Sequence, residues 1–585
     1  MTIRPATPKR APWTGACLLL ALGAPFAHAQ VITRAPGIPP INPGSPLPGI
    51  QPAPQPGPVP PAVRGPTGVA PAIVPQNQNL AISDAAIIGN TAYSDAELAP
   101  YLKGLTGPAV PLQAIEDARA AILSRYRLAG YTYTTVRARI HDTHLRITIT
   151  EPHIVAVKLS QDIGPAGVQV LRFLNNLADG RLLTEADLER FVLLSNDVPG
   201  VTVHAVLDPS PTDPGALTLR AVVSRQAVSG SLTADNRAFR DTGPIEFLGV
   251  ADFNSFTSLG ERTEVSLYHT SNNTDNFGQM AEEFFIGGSG LKFRIYGGAG
   301  EANPTGPLAS VGYDGVTRVF GFSFSYPFIR SRRQDLTFAA QFDGEESDIA
   351  EFARRATFDS LRILRGDARY RLGDIWLGPG MDAQTQAELT LSQGLPILGA
   401  EPNTSTQLAR LNERVDFTKI NARLDRVQDL FSPYVYNGVA AHVQLELAAE
   451  GQYSRNIIPP EEEFYLGGPE FDRGYYYGEV TGDSALTTKI EPQLVTALPT
   501  IPHTSIVPQA TFYGFYDWGE AWENQKTDIG HTLRSIGGGV RVAVGDHIEI
   551  NLEGVSRLAR NPTGQEIPGA RLKSSAFYWQ VVGRF

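Results

Sequence analysis

"VRVAVGDHIEINLE", residues 540–553, carries the pattern that decides the fold of this chain. Apolar residues occupy every second position in both halves of the segment, and Gly-Asp-His separates the halves. A period of two with one apolar face is typical of a β-strand that divides two environments. The segment therefore predicts two antiparallel strands joined by a short turn. Their apolar faces are formed by Val540, Val542 and Val544 and by Ile548, Ile550 and Leu552.

The same alternation recurs through residues 227–585, where helical periods are absent. The apolar faces are rich in aromatic residues, and the opposite faces often carry charge. A barrel with lipid outside and water inside explains this combination better than a soluble β-sandwich does. At ~10 residues per strand plus loops, the region accommodates roughly 16 strands. Two further apolar faces are Phe320, Phe322, Phe324 and Tyr326, and Leu336, Phe338, Ala340 and Phe342.

The carboxy-terminal segment "FYWQVVGRF" (577–585) adds a second indication of a membrane barrel. A final strand that ends in an aromatic residue is typical of bacterial outer-membrane barrels. Lipid permits only a closed barrel, because an open edge would leave backbone donors without partners in hydrocarbon. We therefore expect a mainly β protein with a 16-stranded antiparallel transmembrane β-barrel over residues 227–585.

The amino-terminal region reads as an export signal followed by a spacer. Residues 1–29 combine basic residues, a short apolar run and Ala-His-Ala, which is the pattern of a secretory signal peptide. Cleavage after Ala29 would remove Cys17, the single cysteine, and with it any disulfide or thiolate metal site. Residues 30–79 are rich in proline, which removes backbone donors and keeps the chain extended, so a linker is expected.

Two similar units precede the barrel, at residues 80–152 and 153–226. Each shows the order β-α-α-β-β, which predicts two small tandem domains. In the first unit Ser94 and Glu97 have the spacing of a capping box that starts a helix. Gly130 marks the end of the second helix of that unit. Beyond the signal peptide no run of ~18 apolar residues occurs, so a membrane-spanning helix is not expected.

Several kinds of chemistry lack support in the sequence. The net charge of −11 argues against nucleic-acid binding, which needs clustered positive charge. His141, Asp142 and His144 form a possible metal-ligand group, but a solvated turn between two strands is the better interpretation because no further ligands lie nearby. Nucleotide-binding and G-x-S-x-G nucleophile motifs are absent. We therefore expect no enzyme, no cofactor and no metal.

Three segments resemble one known family, the outer-membrane transporters of two-partner secretion, which include haemolysin activators and adhesin exporters. "IIGNTAYSDAELAPYL" (87–102) is similar to the first periplasmic polypeptide-transport-associated (POTRA) domain of that family. "GGPEFDRGYYYGEVTGD" (467–483) resembles the tip of its long sixth extracellular loop, and "FYDWGEAW" (515–522) resembles a late barrel strand. The resemblance covers about 80–585 and implies two POTRA domains followed by the barrel.

The resemblance also implies a contact between this loop and the barrel wall. In that family the loop folds into the barrel, which implies that Arg473 of this chain contacts the carboxylate of Asp517. The alternation agrees, because a charge is tolerated on the lumen face and is costly on the lipid face, so Asp517 and Phe515 should point inward. Gly474 in the loop and Gly519 in the strand would let the two backbones approach closely. The predicted loop–barrel latch comprises Arg473, Gly474, Tyr475, Phe515, Asp517 and Gly519.

The implied function is protein transport across the outer membrane of a Gram-negative bacterium. The expected partners are outer-membrane lipid and a large secreted exoprotein with an N-terminal secretion domain, captured unfolded by periplasmic POTRA domains. A monomer is expected. The alternatives are an assembly factor for other outer-membrane proteins, a solute porin and a barrel-embedded enzyme. Family members often carry a plug helix, but the many prolines of residues 31–50 argue against a stable helix there.

Overall fold

The computed structural model describes residues 44–50, 78–239, 241–436, 439–525, 530–561 and 571–585. The predicted signal peptide and most of the predicted linker lie outside these residues. The described part begins with one helical turn, α1 (Leu47–Ile50). None of the helices in the described ranges is both long and apolar enough to cross a membrane.

The first amino-terminal unit is a small three-stranded sheet covered by helices. The central strand β5 pairs in parallel with β2 and antiparallel with β4, while β1 and β3 form a separate two-stranded sheet. Its elements are β1 (Asn79–Ile82), β2 (Asp84–Ile88), α2 (Asp95–Leu98), β3 (Gly107–Pro111), α3 (Leu112–Leu128), β4 (Thr135–His141) and β5 (His144–Thr150).

Local sequence signals explain where these helices begin and end. The backbone N–H of Ser94 donates to Glu97 (2.9 Å), as a capping box requires. Gly130 adopts a φ of 88° just beyond α3, a conformation that glycine adopts without strain. The apolar face of α3, with Ile122 and Tyr126, packs on Ile147 of the sheet. The predicted β-α-α-β-β order is confirmed, with β3 as an addition.

The second unit repeats the arrangement. Strand β8 pairs in parallel with β6 and antiparallel with β7. Phe285 of the barrel enters the apolar core of this unit and meets Phe173, with 5.0 Å between the ring centroids. The unit is therefore docked on the barrel. Its elements are β6 (His153–Leu159), α4 (Ala166–Leu174), α5 (Glu185–Asn196), β7 (Val201–Pro209) and β8 (Ala216–Arg225).

The carboxy-terminal region is a closed antiparallel barrel of 16 strands, which confirms the predicted fold. The strands from β9 onward are β9 (Val228–Asp235), β10 (Glu246–Asn254), β11 (Arg262–Thr270), β12 (Asp275–Ile286), β13 (Leu291–Ala302), β14 (Asp314–Arg330), β15 (Gln334–Glu351), β16 (Arg354–Asp374), β17 (Ala383–Gly394), β18 (Thr418–Tyr436), β19 (Val439–Ser454), β20 (Phe464–Leu466), β21 (Val480–Gly482), β22 (Ser484–Ala497), β23 (Gln509–Trp522), β24 (His531–Val544), β25 (Ile548–Arg557) and β26 (Ser575–Arg584). Strands β20 and β21 pair only with each other, and the other sixteen form the barrel, which β9 and β26 close. A short helix, α6 (Pro307–Ser310), lies between β13 and β14.

The two faces of the barrel strands differ as the alternation predicts. Phe320, Phe322 and Phe324 are exposed on the outer surface of β14. Val319, in the opposite phase, packs inside against the cluster that contains Leu47. Apolar side chains outside and mixed side chains inside are the arrangement of a lipid-embedded barrel.

The segment at residues 44–50 lies inside the barrel, where the sequence predicted only a spacer. Leu47 and Ile50 are buried against the inner-wall residues Leu248, Tyr268 and Phe277. The argument from proline anticipated no stable helix here, yet α1 forms one turn. Proline is tolerated in the first turn of a helix, because the N–H that it lacks has no intrahelical partner there.

Candidate functional site

Residues 455–483, here called the inner loop, connect β19 to β22 and fold back into the barrel. The hairpin of β20 and β21 forms their core, with Leu466, Tyr475 and Val480 buried against Leu533 of the wall. Arg473 is only 2% exposed. A buried guanidinium needs charged partners, since its desolvation is otherwise too costly.

Asp517 on β23 is the main partner of Arg473. The Arg473 Nε donates to Asp517 Oδ2 and the Nη2 to Oδ1, each at 2.9 Å. The backbone N–H of Arg473 also donates to Oδ2, at 2.9 Å. The pair is thus bidentate, a geometry that lysine cannot reproduce. The structure therefore brings together the two residues at the centre of the predicted latch.

Two further carboxylates, which sequence analysis missed, surround the same guanidinium. Glu491 on β22 forms a close ion pair with Arg473 Nη1, and Glu553 on β25 lies 3.8 Å from it. The excess negative charge is balanced by Arg541 on β24 and by Arg237, which lies just beyond β9. Arg541 pairs with Glu491 at 2.8 Å, and Arg237 pairs with Glu553 at 2.6 Å. Three guanidiniums and three carboxylates thus form one network, which is buried except at Arg541.

The aromatic residue of the predicted latch lies under the guanidinium. The Arg473 Cζ is 3.6 Å from the centroid of the Phe515 ring, which is close enough for a cation–π contact. Phe515 and Asp517 are both buried on the inner side of β23, whereas Tyr516 is 39% exposed on the outer side. The strand therefore presents its two latch residues to the loop and its intervening residue to lipid.

The glycines and the tyrosine allow the loop to approach the wall closely. A Cβ added at Gly519 would lie 2.2 Å from Asp472 Oδ2, and one at Gly474 would lie 2.8 Å from Ser535 Cβ. The Tyr475 hydroxyl lies 2.7 Å from the carbonyl oxygen of Ala559 and accepts from the N–H of that residue at 3.1 Å. All six residues of the predicted latch therefore lie at this contact.

The inner loop leaves part of the lumen open. A cavity of about 910 Å³ remains between the loop, the segment at residues 44–47 and the wall strands β12 to β16, β18 and β19. Its lining carries both signs of charge and few aliphatic side chains. The wall contributes Tyr296, Arg365, Arg369, Lys419, Arg423 and Glu450, among others, and the loop contributes Phe464, Glu470 and Tyr477.

Residues 217–542 match the family model described as "Haemolysin secretion/activation protein ShlB/FhaC/HecB". The match spans more than half of the 585 residues. The chain belongs to this family. Membership in the ShlB/FhaC/HecB family confirms the resemblance stated above, and the chain is a two-partner secretion transporter of the outer membrane. The family is one of transporters.

Individual members and solved structures agree with this membership. The heme/hemopexin transporter protein HuxB of Haemophilus influenzae (strain 86-028NP) is 20% identical over 480 residues, which is 80% of this chain and 81% of HuxB. The structure of CdiB from Escherichia coli covers 89% of this chain and 94% of its own, with a TM-score of 0.67 and 16% identity. CdiB from Acinetobacter baumannii gives a TM-score of 0.60, 15% identity and coverage of 88% and 91%. At these identities the two structures show the same fold.

Proposed function

We propose that this ShlB/FhaC/HecB family member captures an unfolded exoprotein in the periplasm and passes it through its barrel to the cell surface, without catalysis. The observation that carries the proposal is the lumen. A polar cavity of about 910 Å³ lies beside a loop that is held to the wall by a buried ion-pair network. A conduit that must stay closed at rest and open for cargo needs both a passage and a removable obstruction.

The amino-terminal sheets supply a place for capture. In the second unit the strand order is β6-β8-β7, so β6 and β7 are both edge strands. An extended polypeptide can add to such an edge through backbone hydrogen bonds, which demand little of its sequence. This mode of binding suits an unfolded cargo that still has to thread through a barrel.

The loop–barrel latch is the part of the proposal that concerns single residues. Arg473, Gly474, Tyr475, Phe515, Asp517 and Gly519 fix the inner loop in the lumen and thereby set the resting state of the conduit. The support is the bidentate ion pair and its nearly complete burial. Removing one partner of such a pair leaves the other charge buried and uncompensated, which is strongly destabilising.

The proposed partner is a large exoprotein with an N-terminal secretion domain, and outer-membrane lipid surrounds the barrel. HuxB is described as a heme/hemopexin transporter. A haem- or hemopexin-related exoprotein is therefore one candidate cargo for this chain. A closed barrel leaves no strand edge to pair, so we propose that the transporter acts as a monomer.

A secretion assay tests the proposal. The chain is expressed in a Gram-negative host together with a candidate large exoprotein, and the exoprotein is quantified in the medium and the periplasm. We expect it in the medium only when the transporter is present. Retention in the periplasm, with a loss of other outer-membrane barrels when the transporter is deleted from its own host, would instead support the assembly-factor alternative.

A further inference from the structure

A second buried ion pair holds the inner loop, at the end opposite to Arg473. Glu462 lies at the end of a 3-10 turn, Pro460–Glu462, and is 3% exposed. Arg365 on β16 donates from Nη2 to Glu462 Oε1 at 2.6 Å and from Nη1 to Oε2 at 3.1 Å. The Lys419 Nζ on β18 lies 2.7 Å from Oε2. One loop carboxylate is thus bound by two wall cations.

The wall also binds the backbone of the loop at this point. The Lys419 Nζ donates to the carbonyl oxygen of Glu462 at 2.8 Å, and Gln452 Nε2 donates to the same oxygen at 3.1 Å. Arg365 is itself held in place, because its Nε donates to Asp343 Oδ2 at 2.7 Å. The wall itself therefore orients Arg365, which reduces the entropy lost on forming the contact.

The two loop contacts have opposite polarity and use different parts of the wall. Around Arg473 the loop supplies the cation, and the carboxylates come from β22, β23 and β25. Around Glu462 the loop supplies the anion, and the cations come from β16 and β18. The contacts share no side chain, so either could persist after the other is lost.

The residues between the two contacts border the open cavity. Residues 463–472 connect Glu462 to Arg473, and eight of them line the cavity: Glu463, Phe464, Tyr465, Leu466, Gly467, Pro469, Glu470 and Phe471. The segment is also held between these two contacts, because Glu463 pairs with Arg410 at 2.7 Å and Glu470 pairs with Arg423 at 2.6 Å. The width of the lumen therefore depends on Glu462 and Arg473 together with these pairs.

We propose that Glu462, with Arg365 and Lys419, is a second anchor of the inner loop that sets the resting width of the lumen together with Arg473. This proposal rests on the proposed function, because the anchor has a role in transport only when the barrel is a conduit. Glu462 is a positioning residue: it fixes the loop and need not touch the cargo.

The test compares Glu462→Gln with Glu461→Gln in the full-length transporter. Glu461 is the adjacent loop glutamate, and neither Arg365 nor Lys419 forms an ion pair with it among the described residues. Each purified protein is reconstituted in planar lipid bilayers, and the fraction of time spent in open states is measured. Lys419→Gln removes part of the same anchor from the wall side. Insertion and folding of the barrel are checked by heat-dependent electrophoretic mobility.

We expect Glu462→Gln and Lys419→Gln to raise the open fraction by about tenfold, which corresponds to about 1.4 kcal/mol, and Glu461→Gln to leave it near the wild-type value. Equal open fractions for Glu462→Gln and Glu461→Gln would overturn the proposal. If Glu462→Gln fails to insert, a wild-type open fraction for Lys419→Gln would overturn it as well. The measurement needs no cargo, so a wild-type protein that exports nothing would refute the proposed function and leave the anchor standing.

Discussion

At the scale of single residues, Arg473 is the side chain whose loss should affect transport most. Arg473→Ala leaves three carboxylates facing a space that its guanidinium filled, and breaking a buried pair in this way costs about 3–5 kcal/mol. We expect export of the exoprotein to fall at least about tenfold, while the barrel still inserts. Export is measured as the ratio of exoprotein in the medium to that in the cells.

The matched control for this variant is Arg455→Ala, in the same loop. Arg455 is exposed and donates to the Tyr453 hydroxyl at 3.2 Å, so its loss should change export little. Arg473→Lys should give an intermediate defect, because a single ammonium cannot bind both oxygens of Asp517. Equal export by the Arg473→Ala and Arg455→Ala proteins would refute the latch.

A carboxylate in the first POTRA domain predicts a dependence of stability on pH. Glu151 accepts from Thr91 N–H and Ala92 N–H and from the Tyr126 hydroxyl, which lies at 2.5 Å. Burial raises the pKa of Glu151, but these hydrogen bonds outweigh it and hold the pKa below its usual value of 4.5. A lowered folded-state pKa contributes stability above pH 4.5, and that stability is lost as the pH falls through the folded value.

We therefore expect Glu151→Gln to lower the stability of this domain by about 1–3 kcal/mol at pH 7 and by less at pH 3. Hydrogen exchange of α3, corrected for the intrinsic exchange rate, measures the difference at each pH. The exchange of α5 in the second unit serves as an internal reference. Asp117→Asn, exposed on α3 and bound only by an exposed hydrogen bond from Gln113, is the control substitution. A destabilisation that is the same at both pH values would contradict the assigned charge state.

The sequence and the structure agree on Arg473 and Asp517 for a specific reason. Asp517 lies in a segment with a recognisable motif, and its phase on β23 follows from the alternation. Glu491 and Glu553 also fall at the polar positions of the alternation on their strands, so their inward direction could be inferred. Their distance from Arg473 could not, because it depends on how β22, β23 and β25 are staggered around the barrel. That stagger is a property of many strands together.

At the scale of elements, length and periodicity decide what could be predicted. The barrel strands are long and alternate cleanly, so their type and number followed from the sequence. The first strand of the predicted β-α-α-β-β order is divided by Ser83 into β1 and β2. Strand β3 was missed, since its sequence "GPAVP" contains two prolines. Helix α1 was not anticipated because the prolines of residues 31–50 argued against a helix, and its four residues are too few to show a helical period. Short elements owe their structure to tertiary contacts.

The junction between α5 and the barrel gives a prediction at this scale. Just beyond α5, Asp197 receives two hydrogen bonds from Arg330 at the end of β14, at 2.6 and 2.9 Å. Arg330→Ala should loosen the second POTRA domain without unfolding the barrel. Limited proteolysis between β8 and β9 measures this, and we expect faster cleavage. Arg333→Ala, which removes an exposed bond to the Gly373 carbonyl and leaves Asp197 and Arg330 in place, is the control and should be cleaved like wild type.

At the scale of the whole molecule, two inserted segments obstruct the lumen from different sides. Helix α1 packs on β10 to β12 through Leu47 and Ile50, and the inner loop packs on β22 to β25 through Arg473. The two segments share no buried cluster among the described residues. Sites without common partners usually contribute additively. The free energies that α1 and the inner loop contribute to closing the conduit should therefore add independently.

A double-mutant cycle in planar bilayers tests this independence. One variant carries Leu47→Ser with Ile50→Ser, which removes the apolar contact of α1, and the other carries Arg473→Ala. Each should raise the open fraction, and the logarithms of the two increases should add in the combined variant to within about 0.5 kcal/mol. Pro46→Ala, which leaves both apolar side chains in place, is the control for the first variant. A combined effect no larger than the greater single effect would mean that the loop and α1 move as one plug.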